Sequence, residues 1–218
     1  MPQLELPSSI NPYFLDERAG IAIIHGDCRD YLPLLPKVDL VLTDPPYLTS
    51  DSRVPIRGSG VAERSIDTKS VGMPWGYSLD WMNLVCPSHW VIFCNYRMLG
   101  GLCSALEIEN ILSSVFVWRK VNAPRMTRPV PRLDCEFIVW ARSKKASCGR
   151  MGDFDSLVLD IPMPQAGCFA VERFTERSSG KAEHPTQKPL SVVMPFAARL
   201  DGTICDPFLG TGTTILAA

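Results

Sequence analysis

The chain has 218 residues, of which 46% are hydrophobic and 21% charged, a globular composition that leads us to expect one domain spanning residues 1–218. The net charge of −1 excludes a global basic field as evidence for nucleic-acid binding. No transmembrane run is present, and no basic segment followed by an apolar stretch opens the chain, so we expect no membrane attachment.

The first elements are short. Residues 1–19 have little periodicity and are expected to form an irregular arm. Residues 21–24 predict a short buried strand that ends at Gly26. Asp27 is placed to cap a helix running through Leu32.

The next strand, residues 38–43, ends in Asp44, Pro45, Pro46 and Tyr47. Proline fixes φ and has no N–H, so a buried strand cannot continue through two prolines. The motif therefore brings a carboxylate, stiff backbone carbonyls and an aromatic ring to one point at a sheet edge. Such a set suits a flat, amine-bearing ring, because the oxygens accept from the amine while the tyrosine covers the face. An ordinary strand-ending turn is the alternative for these four residues alone.

The middle of the chain starts with a polar stretch, residues 48–78, which has no clear period. A structureless stretch of this length is expected to be a mobile or functional loop. Residues 80–85 predict a helix and His89–Cys94 a strand. Residues 96–106 predict a second helix, interrupted at Gly100 and Gly101.

A basic segment follows between two apolar, β-rich strands predicted at residues 114–118 and 135–141. Residues 118–150 contain nine basic and two acidic side chains. This local excess suits a surface facing phosphates, and a solvated loop is the alternative. Residues 144–183 are predicted to be irregular, with an edge strand at 157–161.

The last elements are a predicted helix at residues 190–200 and a strand at 203–205 that enters a glycine loop, residues 206–214. Short buried strands that alternate with helices predict a mainly parallel sheet in an α/β fold. Ligands of such sheets bind at the carboxyl ends of the strands. Gly210 and Gly212 would let the backbone approach a ligand closely.

The glycine loop does not match two common nucleotide motifs. The third glycine of the dinucleotide fingerprint is missing, which counts against NAD. No G-x-x-x-x-G-K-[ST] pattern is present, which counts against a nucleoside triphosphate loop.

The eight cysteines include no C-x-x-C pair, and no Cys/His cluster has the spacing of a zinc site. We therefore expect no metal and a reducing, cytoplasmic location. Cys86, Cys94, Cys135 and Cys205 lie in apolar runs, where a free cysteine behaves as a small hydrophobe. The three histidines are too widely spaced to indicate a metal site.

Three motifs in chain order resemble those of the DNA methyltransferases that methylate amino groups with S-adenosylmethionine. They are the tetrapeptide 44–47, the segment 184–190 and the glycine loop 206–214. Their order resembles the permuted β group of that family, and Gly26-Asp27 also matches. The resemblance extends from Ile21 to the end of the chain. It implies a circularly permuted, Rossmann-like class I methyltransferase sheet with helices on both faces.

The resemblance also implies site residues. Asp44 and the Pro45 carbonyl would accept hydrogen bonds from the exocyclic amine of the target base, Tyr47 would stack on that base, and Pro46 completes the catalytic motif. Asp27 would reach the cofactor adenine, Lys188 the methionine end and Asp206 the cofactor's amino group. The cofactor-binding residues implied are Asp27, Lys188, Asp206, Pro207, Phe208, Gly210, Gly212 and Thr213.

The implied activity is methylation of adenine N6 in double-stranded DNA, with the base flipped out of the stack. Adenine is favoured because the aspartate version of the tetrapeptide resembles the adenine branch and the serine version the cytosine branch. The alternatives are a cytosine-N4 methyltransferase, an impaired DNA-binding relic, and an RNA or protein amine methyltransferase. The resemblance also allows a homodimer and a companion restriction endonuclease.

Recognition of the DNA sequence is expected to use residues 48–78 and 119–183. The chain stops at Ala218, soon after the glycine loop, whereas the resemblance implies a further strand with an acidic residue for the cofactor ribose. We therefore expect a truncated C-terminus and impaired cofactor affinity in the chain as given.

Overall fold

The computed structural model of the chain describes residues 6–46, 84–85, 88–123, 134–163 and 187–218. The strands are β1 (Phe14–Asp16), β2 (Ile21–Ile23), β3 (Leu40–Thr43), β4 (His89–Cys94), β5 (Leu112–Arg119), β6 (Cys135–Arg142), β7 (Val158–Asp160) and β8 (Ile204–Cys205). The helices are α1 (Cys28–Tyr31), α2 (Tyr96–Ile108), α3 (Leu190–Ala197) and α4 (Thr213–Ala217), with 3-10 helices at Leu32–Leu34 and Gly149–Asp153. The loop expected at residues 48–78 and most of the helix expected at 80–85 lie outside the described residues.

Within the described residues, the main sheet has six strands, in the order β7-β5-β6-β4-β3-β8. β3 pairs in parallel with both β4 and β8, and β5 pairs in parallel with β7. β6 is antiparallel to its neighbours β4 and β5, so five of these strands share one direction and β6 is reversed. The predicted mainly parallel α/β sheet is confirmed.

Both faces of this sheet are covered by helices, and side chains alternate between the faces with the period of two expected for strands. On β4, Trp90, Ile92 and Cys94 pack in one buried cluster that includes side chains of α2. Val91 and Phe93 pack in the other cluster, with α3. Because β4 is buried on both faces, it reads as a continuous apolar run, and its predicted bounds are confirmed.

A separate two-stranded antiparallel ribbon, β1 and β2, precedes the main sheet. The expectation of an irregular arm is therefore wrong for residues 14–16, and β2 is only half-buried. The ribbon turn explains the difference, since Asp16 accepts hydrogen bonds from the backbone of Arg18 and Ala19. Gly20 completes the turn with a φ of 69°. Local turn chemistry, not apolar periodicity, specifies this element.

Helix α2 runs without a break from Tyr96 to Ile108, so the interruption predicted at its two glycines is wrong. Asn95 caps the helix and accepts from the backbone N–H groups of the next turn. Met98, Leu102 and Leu106 are buried along one face. Each interior glycine lowers the stability of the helix by about 1 kcal/mol relative to alanine, and burial of that apolar face outweighs the loss.

Helix α3 ends at Ala197, three residues before the predicted end. The chain then turns at Gly202, whose φ is 120°. A Cβ at Gly202 would lie 2.1 Å from Asp39 Oδ2, and the same oxygen accepts a 2.8 Å hydrogen bond from the backbone N–H of Thr203. Asp39, just before β3, therefore fixes the entry into β8.

The described cysteines differ in environment. Cys94 is buried, and burial raises the pKa of its thiol to about 12. Cys205 packs against the same cluster. Cys135 is exposed at the start of β6, so the expectation that it packs as a small hydrophobe is wrong. Cys86 lies outside the described residues.

Within the described ranges, no helix is both long enough and apolar enough to cross a bilayer.

Candidate active site

The site is built where β3 ends. Leu40–Thr43 is fully buried, and the strand stops at Thr43, just before Asp44 and the two prolines, as predicted. Pro45 is buried, whereas 31% of the Asp44 side chain is exposed. The Asp44 side chain is therefore not sealed inside the described part of the chain, although its Oδ1 atom is buried. Tyr47 lies outside the described residues.

Asp44 is paired with Lys188. The Lys188 ammonium Nζ lies 2.6 Å from Asp44 Oδ2 and 3.3 Å from Glu136 Oε2. Only 6% of the Lys188 side chain is exposed, and Nζ sits 5.6 Å from the centroid of the Phe93 ring. A buried ammonium needs counter-charges, and these two carboxylates supply them.

Glu136 extends this arrangement away from Asp44. Its Oε1 lies 2.5 Å from Lys120 Nζ, and both side chains are largely buried. Burial raises the pKa of Glu136, but the charges of Lys188 and Lys120 outweigh that effect and hold the pKa below its usual value. Asp44, Lys188, Glu136 and Lys120 thus form a line of alternating charges, which we call the charge chain.

Asp206 lies at the carboxyl end of β8, beside β3. Its Oδ1 accepts hydrogen bonds from Thr43 Oγ1 at 2.7 Å and from the Phe208 backbone at 3.0 Å. Its Oδ2 accepts from Thr214 Oγ1 at 2.6 Å. Burial raises the pKa of Asp206 above its usual value, against the hydrogen bonds that lower it. The carboxylate is thereby fixed at the start of the glycine loop.

The glycine loop turns twice through the left-handed region, at Gly210 with φ 54° and at Gly212 with φ 85°. Among the described residues, no atom lies within 3.4 Å of a Cβ built at either glycine, so the backbone conformation and not crowding requires glycine here. Gly212 caps α4. The buried Thr213 then donates from Oγ1 to the Lys188 carbonyl at 3.2 Å. This bond ties the loop to the charge chain.

Asp27 caps α1, as predicted, and accepts from the Arg29 backbone N–H at 3.0 Å. The Arg29 side chain also binds both carboxylate oxygens, and these hydrogen bonds lower the pKa of Asp27 to about 2. A Cβ at Gly26 would lie 2.3 Å from the Tyr31 ring. The Gly26-Asp27 pair therefore has a clear local structural role, and its predicted contact with a cofactor stays a prediction.

The structure brings most of the predicted site residues into one connected set. Asp44, Lys188, Asp206 and Thr213 are linked by the contacts above, and Phe208 packs against the core beneath. Lys188 lies against the Asp44 carboxylate itself. Pro207, Gly210 and Gly212 lie in the same loop.

Sequence reasoning missed Thr43, Thr214, Glu136 and Lys120. Glu136 had one visible signal, as an acidic residue inside an otherwise apolar strand. Lys120 was counted with the basic surface, but only 14% of its side chain is exposed and it pairs inward. Arg119 is also engaged, in a pair with Asp160. Lys120 is therefore not part of a surface open to phosphates, and the half-exposed Arg119 is paired with a carboxylate.

Comparison with known proteins places the chain among DNA methyltransferases. Residues 38–218 match the model of the N6/N4 methyltransferase family, described as DNA methylase. The type II methyltransferase M2.MboI of Moraxella bovis is 23% identical over 234 residues, which cover 95% of this chain and 82% of the relative. The type II methyltransferase M2.DpnII of Streptococcus pneumoniae is 25% identical over 236 residues, covering 95% and 83%.

Solved structures share the fold. The complex of M1.HpyAVI with SAM superposes with a TM-score of 0.59 and 26% identity, over 88% of this chain and 84% of that one. The cytosine-N4-specific PvuII DNA methyltransferase superposes with a TM-score of 0.56 and 14% identity, over 90% and 77%. The second likeness concerns the fold alone.

Proposed function

Because the chain belongs to the N6/N4 DNA methyltransferase family, we propose that it methylates the exocyclic N6 amine of an adenine flipped out of double-stranded DNA. The methyl donor is S-adenosylmethionine, and the substrate is DNA. The choice of adenine, the flipping of the base and the role of each residue are the proposed parts.

The observation that carries the proposal is the position of Asp44. It is a partly exposed carboxylate at the carboxyl end of β3, followed by the buried Pro45 and adjacent to the strand that enters the glycine loop. An amine held at Asp44 would therefore sit beside whatever the loop binds. Ligands of parallel α/β sheets occupy this edge.

The residues of the loop fit the proposed methyl donor. Gly210 and Gly212 supply a turn without side chains, which permits close approach of a ligand to the backbone. Asp206 supplies a fixed carboxylate for an ammonium group, and Phe208 adds apolar surface. S-adenosylmethionine carries its methyl group on a sulfonium, so that group is already activated for transfer.

The task of the protein is to align a weak nucleophile. The lone pair of an adenine amine is delocalised into the ring. Hydrogen bonds from its two protons to Asp44 and to the Pro45 carbonyl favour a pyramidal nitrogen with a localised lone pair. The same acceptors stabilise the positive charge that develops on the nitrogen during attack. Alignment in line with the methyl group adds the advantage of proximity. The surplus proton leaves the nitrogen after the transfer.

Cytosine N4 is the second candidate target. The fold does not discriminate, since a cytosine-N4-specific enzyme has the same architecture. Both targets present a similar amine to Asp44. The aspartate in the tetrapeptide favours adenine, because it resembles the adenine branch of the family.

The proposal is tested by incubating the chain with radiolabelled S-adenosylmethionine and genomic DNA prepared free of methylated bases. The DNA is digested and its nucleosides are separated by mass. We expect label in N6-methyladenine. Label in N4-methylcytosine alone would show that cytosine N4, and not adenine N6, is the target. Label appearing only with RNA or protein substrates would contradict DNA as the substrate.

Asp44→Ala is the matched control for the chemistry. We expect it to reduce transfer by about 1000-fold or more, while calorimetric titration still detects cofactor binding. Retention of a substantial rate would contradict the assigned role of Asp44. Cofactor binding by the unaltered chain without transfer to any nucleic acid or protein would instead indicate an inactive relic.

A further inference from the structure

Glu136 lies next to the proposed amine clamp without belonging to it. We infer that Glu136 is a positioning residue for methyl transfer: it takes up the Lys188 ammonium when the target amine displaces that ammonium from Asp44. This inference rests on the proposed function, and it assigns a role to a residue on β6, outside the motifs of the site. Glu136 acts through Lys188 and does not itself touch the base.

The first support is the geometry around Lys188 Nζ. The ammonium is shared between Asp44 Oδ2 at 2.6 Å and Glu136 Oε2 at 3.3 Å. An ammonium has three donors, so it can bind both carboxylates at once and can move closer to either of them. A displacement of Nζ by less than 1 Å towards Glu136 would shorten that contact to an ordinary charged hydrogen bond, typically about 2.7–2.9 Å.

The second support is that Lys188 competes with the proposed substrate. A target amine must donate to Asp44, whose Oδ1 is buried and whose Oδ2 is already bound by Lys188. Lys188 is too deeply buried to exchange that bond for water. An ammonium left without a counter-charge in this position would strongly disfavour binding of the amine. Glu136 provides the second acceptor that makes the exchange feasible.

The third support is the way Glu136 is held. Lys120 binds its other oxygen, Oε1, which leaves Oε2 directed to Lys188. Lys120 is itself fixed just after β5, because its backbone N–H donates to the Asp134 carbonyl at 2.7 Å. The lowered pKa of Glu136 agrees with a permanently ionised acceptor. With two cations and two anions, the charge chain is neutral overall, so Lys188 can move within it without leaving a net charge.

The decisive experiment compares Glu136→Gln with Glu136→Asp, using Glu107→Gln on the exposed side of α2 as the matched control. Methyl transfer to genomic DNA free of methylated bases is measured at saturating S-adenosylmethionine. Rates are normalised to the number of cofactor-binding sites found by calorimetry, which removes any loss of folded protein. The midpoint of thermal unfolding is recorded for each variant.

We expect Glu136→Gln to lower kcat by about 10- to 100-fold, the loss typical when a residue that orients a metal ligand is removed. We expect the Kd of S-adenosylmethionine to change by less than about threefold, because the glycine loop is intact. Glu136→Asp keeps the charge and should recover part of the rate. Glu107→Gln should match the unaltered chain. A normalised kcat for Glu136→Gln equal to that of Glu107→Gln would overturn the inference.

The double variant Lys120→Met with Glu136→Gln distinguishes loss of the hydrogen-bond acceptor from a change in net charge. It replaces the single variant in the experiment if Glu136→Gln alone does not fold. It restores neutrality but lacks the second acceptor, so we expect kcat to stay low. Recovery of kcat to within about threefold of the unaltered chain would show that only net charge matters and would overturn the acceptor role. Absence of transfer by the unaltered chain would contradict the proposed function instead, which keeps the two failures apart.

Discussion

Thr43 donates a 2.7 Å hydrogen bond from Oγ1 to Asp206 Oδ1, across 163 residues of sequence. The last residue of β3 is thereby joined to the first residue of the glycine loop. Thr43 is 1% exposed, so its hydroxyl has few alternatives to this bond. Because Asp44 follows Thr43 directly, this bond adds to the pairing of β3 with β8 in holding the proposed amine clamp beside the loop.

We expect Thr43→Val, which keeps the shape and removes the hydroxyl, to lower the free energy of unfolding by about 1–3 kcal/mol. It should also weaken S-adenosylmethionine binding, because Asp206 loses one of its donors. Calorimetry and urea denaturation measure the two effects. Thr203→Val is the matched control: its hydroxyl donates to Asp39 at the opposite end of β8, so the Kd of the cofactor should not change. Equal Kd values for both variants and the unaltered chain would contradict the link.

Removal of Lys188 is expected to be strongly destabilising. Lys188→Met leaves two carboxylates, Asp44 and Glu136, facing each other without the shared ammonium. Breaking a buried pair in this way costs about 3–5 kcal/mol, measured as the free energy of unfolding in urea. Adding Glu136→Gln to Lys188→Met removes the excess negative charge, leaving one anion, Asp44, and one cation, Lys120, and should restore part of the loss. A double variant less stable than Lys188→Met would argue against the charge chain as described.

The pH dependence of stability should reflect Glu136. Its pKa is lowered on folding, so its charged form stabilises the fold above the pKa of the unfolded chain, about 4.3. That contribution is lost as the pH falls through the lower pKa of the folded state. In urea denaturation below about pH 4.5, the unaltered chain should therefore lose stability more steeply than Glu136→Gln. Parallel curves for the two proteins would contradict the direction of the shift.

Two glycines should respond oppositely to alanine. Gly212 has a φ of 85°, so Gly212→Ala should cost about 1–2 kcal/mol of folding free energy and weaken cofactor binding. Gly100 lies inside α2, and a Cβ there meets no atom within 4 Å. Gly100→Ala should stabilise the chain by about 0.5–1 kcal/mol without changing the Kd. Thermal unfolding and calorimetry measure both variants, and a stabilising Gly212→Ala would contradict the strained turn.

The sequence was most informative where chemistry is local. The proline pair after Thr43 stops β3 because neither ring nitrogen can donate, so the position of Asp44 was predictable. The continuous apolar run His89–Cys94 likewise predicted a strand buried on both faces. Helix α2 was harder, because the packing of Met98, Leu102 and Leu106 decides its continuity against the preference of its glycines.

The charge chain was not predictable, because its members come from four separate places in the sequence. Lys188 and Glu136 come into contact only after β6 has joined the sheet and α3 has packed on it. The spacing of residues along the sequence does not indicate that contact. Lys120 counted as one positive charge among nine, yet its position next to β5 directs it inward. The net charge of a segment does not show which of its charged side chains are neutralised in ion pairs.

The pairing of β3 with β8 has a consequence for how the protein is made. During synthesis, β3 and β4 leave the ribosome long before β8 and can pair first. Until β8 emerges, the outer edge of β3 offers unpaired backbone groups, which is a hazard for aggregation. Closing so long a loop is slow, so docking of β8 is expected to be a late step of folding. A nascent chain thus presents the aspartate without the glycine turn, and it acquires the capacity to bind its methyl donor only once β8 and the glycine loop have emerged.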